Sequence, residues 1–101
     1  MAKFVYLYTG GQMADTPEAQ EQVMQAWGAW FSSLGDCVSD IGNPFGSSAT
    51  VKAGGVADAS SSFGGYSIIT ADSLSDAAAR AHGCPVLEAG GTVEVYEAMP
   101  M

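Results

Sequence analysis

The side chains able to do chemistry fall into two groups. Tyr6 and Tyr8 are two residues apart, and Trp27 and Trp30 three apart, so each pair lies on one side of a strand or of a helix. Together they can wall a pocket for a planar small molecule, with phenolic O–H and indole N–H donors to orient it. Aromatic residues at such spacings are also ordinary core material, and a cleft left within a core satisfies both readings. Asp40, Asn43 and Phe45 form the second group, at the exit of a short stretch whose large aliphatics are Val38 and Ile41. A carboxylate desolvated between sheet and helix can act as a general base, which makes Asp40 the candidate catalytic residue. The competing reading makes Asp40 a solvated strand-end residue and Asn43 a turn former.

Other reactive types have sufficient structural explanations. His82 falls in the last turn expected for a helix, where the dipole favours an imidazolium, so it can be a cap as readily as an acid, a base or a ligand. Cys84 follows the negative end of the same helix, which disfavours a thiolate, and Cys37 has no identifiable activator. Glu94 and Glu97 are three positions apart in a strand pattern, so they face opposite sides and do not form a carboxylate pair. No CxxC, HExxH, GxGxxG or GxxxxGK[ST] pattern occurs, so neither a metal nor a nucleotide cofactor is expected.

Composition narrows the partners. Lys3, Lys52 and Arg80 are the only strong cations against eleven carboxylates, a net charge of −8. Nucleic acid and anionic membrane surfaces would therefore be repelled. No apolar run approaches the roughly 20 residues of a spanning helix. With no secretion signal in evidence, a cytoplasmic protein with two reduced thiols is expected.

The elements that position these residues are well punctuated. Residues 3–8 (KFVYLY) read as a strand apolar on both faces, followed by a loop over residues 9–15. Thr16, Pro17 and Glu18 supply an N-cap, a first-turn proline and a first-turn carboxylate. The helix they start should run to about Leu34, carry Val23, Trp27, Trp30, Phe31 and Leu34 on one face, and stop at Gly35. A weaker strand is expected over residues 36–41, then a turn at Asn43–Pro44. The Gly/Ser/Ala-rich connection between Gly42 and Gly65 holds one β-like island at residues 49–53, expected as a small hairpin or edge strand. Residues 66–71 (YSIITA) form a strand, and Ser73 caps a helix ending at His82, with Gly83 left-handed beyond it and Pro85 preventing continuation. After Gly90 and Gly91, residues 92–96 (TVEVY) resume the strand period.

The chain, residues 1–101, is thus expected to be a single α+β domain of ferredoxin-like βαββαβ order, with a short inserted strand and an antiparallel sheet covered by helices on one face. The other face would put apolar side chains into water unless covered, and in so short a chain the economical cover is a second copy. A homodimer packed through its sheet faces is therefore expected.

The run GGYSIITADSLSDAAARAHGCPVLEAGGTVEVYEAM, residues 64–99, resembles the C-terminal half of YCII-related proteins in its Gly-Tyr strand, its helix, its Cys-Pro turn and its GG-T-V-E-V strand. SLGDCVSDIGNPFG, residues 33–46, is similar to the helix exit, strand and Gly-x-Pro turn of that family. The resemblance implies the dimeric α/β-barrel superfold. It also implies, for some members, an enzyme using a His-Asp pair around the first helix. Between Thr16 and Gly35 this chain has neither residue, and VADASSSF stands where one subgroup has DGPF, so the dyad does not carry over. Two functions follow as expectations. One is a cofactor-free lyase, isomerase or oxygenase-like enzyme acting on a planar or aromatic small molecule. The other is a non-catalytic binding, sensor or accessory module.

Overall fold

The computed structural model describes residues 2–10, 15–58 and 63–100; parts of the loop over residues 9–15 and of the long connection, namely residues 11–14 and 59–62, lie outside the described residues. The elements are β1 (Ala2–Thr9), α1 (Pro17–Leu34), a 3-10 turn (Gly35–Cys37), β2 (Val38–Asp40), β3 (Ala49–Lys52), β4 (Gly55–Asp58), β5 (Phe63–Ala71), α2 (Leu74–Ala81), α3 (Pro85–Glu88) and β6 (Thr92–Ala98). The fold is α+β. β2, β5, β1 and β6 form a four-stranded sheet in that order, and β3 and β4 form a separate two-stranded sheet. Every neighbouring pair in the larger sheet is antiparallel. β5 and β6 therefore run parallel to each other with β1 between them, as a crossover through α2 requires.

The helix starts form as the sequence dictates. Thr16 Oγ1 accepts the Ala19 N–H at 3.1 Å, and Ser73 Oγ accepts the Asp76 N–H at 3.1 Å. Phe4, Tyr6 and Tyr8 of β1 and Ile69 and Ala71 of β5 point to one side and meet Trp30 and Leu34 of α1 and Ala77 and Ala81 of α2 in the core. The small α2 residues allow that helix to lie close on the sheet.

Several local expectations are corrected. β2 is three residues long, and Ile41 stands 58% exposed instead of extending it. The chain there turns through Gly42 at φ 79°, where a Cβ would lie 1.8 Å from the Tyr66 carbonyl oxygen, so only glycine lets it close on β5. The β-like island, by contrast, takes one of its two expected forms: it is a hairpin, β3 pairing with β4 from Ala49↔Asp58 to Lys52↔Gly55. Gly83 does not take the left-handed region. Its lack of a side chain serves packing instead, since a Cβ there would be 3.0 Å from Trp30 Cδ1. Pro85 blocks continuation of α2 but opens α3 as its first residue. Val23, placed on the buried face of α1 by its spacing, is 45% exposed, where the four-residue α3 is the helix that this part of α1 meets among the described residues.

Candidate functional site

Tyr6, Tyr8, Trp27 and Trp30 come together. Tyr6 stacks on Trp30 with ring centroids 5.9 Å apart, and Trp27 meets Tyr8 edge-on at 4.9 Å. Phe31 joins them, 4.9 Å from Trp30. Each buried polar tip in the cluster is assigned a partner: Tyr6 Oη donates to the Ala77 carbonyl at 2.5 Å, and Trp30 Nε1 to that of Arg80 at 3.2 Å. Tyr8 Oη donates to Ser67 Oγ at 2.8 Å, which in turn donates to the Ile41 carbonyl at 2.5 Å. This chain of bonds fastens the exit of β2 to the middle of the core.

The cluster is chemically quiet. Burial pushes the Tyr6 hydroxyl up to about 12, pushes Tyr8 upward as well, and holds the nearby Cys84 thiol at about 11. All three are neutral near pH 7, so none is a ready base or nucleophile.

Trp27 and Phe31 are the half-buried members, and Trp27 opens the cluster outward. Between the first half of α1 and α3 runs a groove of about 490 Å³. Trp27, Val23 and Ala26 line it from α1, Val86 from α3, and Gln22 and Glu88 supply its polar side chains. Its lining is largely apolar with a few polar groups.

The second predicted group lies elsewhere. Asp40 is exposed, pairs with Ile68 across a bulge, and accepts the Gly42 N–H on Oδ1 at 2.8 Å. Asn43 contributes its backbone, accepting the Tyr66 N–H at 3.3 Å. Phe45 stacks on Tyr66 at 5.8 Å, and Tyr66 alternates with the inward-pointing Ser67 and so faces the other side of the sheet from the tyrosine cluster. Phe45 also borders a second cavity of about 330 Å³ at the base of the hairpin, with Thr50 and Phe63. Asp40 lines neither cavity. His82 caps α2 and is exposed. Among the described residues no His/Cys/Asp/Glu cluster suits a metal ion, and no helix is long and apolar enough to cross a membrane.

Sequence reasoning missed Gln22, Val86 and Glu88 because it read Pro85 only as a stop. The signal was present: a proline followed by Val-Leu-Glu is also a first helical position.

An antiparallel sheet with three helices packed on an aromatic core defines an α+β domain. The model of the YCII-related domain matches residues 4–101, nearly the whole chain, and the protein belongs to that family. No curated protein and no solved structure gives a significant match to it.

Proposed function

We propose that the protein is a homodimeric binding module for a small planar molecule, with the ligand seated in the groove against Trp27. The observation that carries this reading is the groove itself, since the aromatic cluster behind it is filled and its donors are occupied. The binding reading is preferred to the catalytic one because Asp40 stands in solvent, turned onto its own loop. The strand order β2-β5-β1-β6 supports the ferredoxin-like arrangement, and the apolar outer sheet face supports a second copy as its cover. Both cysteines are free, which fits a reducing cytoplasm. Glu88 is the charged residue at the groove, and Lys3, Lys52 and Arg80 are not among its lining. The ligand is therefore neutral or cationic, with the indole face available to a cation.

Tryptophan fluorescence titrated with quinoline, N-methylquinolinium and naphthalenesulfonate tests this, alongside native mass spectrometry of the protein as isolated. The first two probes should quench and the anion should not. Trp27→Ala should weaken binding roughly tenfold or more, while Asp40→Asn leaves it unchanged. Binding that ignores Trp27, or that is lost with Asp40→Asn, would overturn the assignment.

A further inference from the structure

The outer face of the sheet carries a charge arrangement complementary to itself. Alternation along β1 puts Lys3, Val5, Leu7 and Thr9 on this face, opposite the buried Phe4, Tyr6 and Tyr8. The register then defines cross-strand rows: Ala98–Lys3–Thr70, Tyr96–Val5–Ile68 and Glu94–Leu7–Tyr66, each running from β6 through β1 to β5. Lys3 and Glu94 are the charged residues of these rows, on either side of the apolar Tyr96–Val5–Ile68 row, with Asp40 beyond them at the β2 edge and engaged by Gly42. Lys3 lies level with Ala98, four residues along β6 from Glu94, a separation of about 13 Å along the strand. Among the described residues the one ion pair is Arg80–Asp76, and neither Lys3 nor Glu94 has an ion-pair partner among them.

We infer that Lys3 of one protomer pairs with Glu94 of a second copy, twice, and that these two pairs set the orientation of the sheet-to-sheet dimer. The inference rests on the dimeric reading above. A two-fold axis lying across the strands, along the Tyr96–Val5–Ile68 row, carries the Lys3 row of one copy onto the Glu94 row of the other. Sheets packed about 10 Å apart leave a distance that a lysine and a glutamate side chain span together. An axis lying along the strands would instead set lysine level with lysine and glutamate level with glutamate. The difference is large for this chain. Each copy bears a net charge of −8, and a Glu94 buried without a partner would add a desolvated charge to that repulsion.

The test uses the full chain and reads the dimer dissociation constant by analytical ultracentrifugation, with circular dichroism confirming that each variant folds. Lys3→Glu and Glu94→Lys should each weaken the dimer by about tenfold or more, and the double variant should return to within about threefold of wild type. Mixing the two single variants, one isotopically labelled, should give heterodimers in excess over either homodimer by native mass spectrometry, because only the mixed pair restores both contacts. Lys3→Gln and Glu94→Gln supply milder versions should a reversal fail to fold. Single variants that dimerise as wild type, or a mixture that stays statistical, would overturn the pairing while leaving the dimer intact. A monomeric wild type would overturn the dimer and the pairing with it.

Discussion

The two faces of β1 are made of different material and are finished to different degrees. On the helix side, Phe4, Tyr6 and Tyr8 are buried and the two hydroxyls each have one hydrogen-bond partner. On the other side, Val5 and Leu7 are half-buried, Tyr96 is 53% exposed beside them, and Lys3 and Glu94 form no ion pair among the described residues. The first face is complete in one copy, whereas the second leaves apolar and charged side chains open to solvent in a single copy. In the proposed dimer, conformation and association are written on alternate residues of the same strand, so each can be altered with little effect on the other.

The most severe way to break this division is on the finished side. Trp30→Ala removes a buried ring packed on Tyr6, Tyr8, Trp27 and Phe31 and should cost about 3–5 kcal/mol of stability in urea unfolding. A loss under ~1 kcal/mol would mean that the core is looser than its contacts imply.

Alkaline pH tests the same face more gently. Burial raises Tyr6 from its ordinary 10.0 to about 12, so the folded state holds its proton where the unfolded chain has released it. Stability from this source is whole below pH 10.0 and is lost as pH rises towards about 12, by on the order of 2 kcal/mol. Chemical denaturation across that window should show the decline, and Tyr6→Phe should make it shallower, the remainder coming from Tyr8 and Cys84, which burial also raises.

The outer face gives the smallest folding effect and the sharpest contrast. Tyr96→Ser should change unfolding of dilute protein by no more than ~0.5 kcal/mol. In the wild type, Tm should rise with protein concentration, and this dependence should fade in the variant. An equal loss at every concentration would show the two faces to be coupled after all.

The same division explains what could be read in advance. α1 was legible because Thr16, Pro17 and Gly35 mark its ends in local chemistry, and β5, α2 and β6 are punctuated as clearly. The aromatic cluster was legible because strand and helix periods align Tyr6, Tyr8, Trp27 and Trp30. The grouping of Asp40, Asn43 and Phe45 was not, because it depends on which side of β5 the chain takes after Gly42. That is decided by a backbone approach to Tyr66 which no side-chain pattern records. The groove was missed for a related reason: a single helical turn after Pro85 is too short to carry a period.

The β3–β4 hairpin has a consequence for how this chain can vary over time. It forms a sheet of its own, so none of the registers joining β2, β5, β1 and β6 passes through it. Residues gained or lost at its Ala53–Gly54 tip leave the alternation of every other strand in phase, and each doubling of such a loop costs only about 0.6 kcal/mol in closure entropy. Val51 and Val56, 76% and 70% exposed on that ribbon, are likewise free to change identity without disturbing the core. The hairpin is where descendants of this sequence can differ most in length while keeping the same sheet.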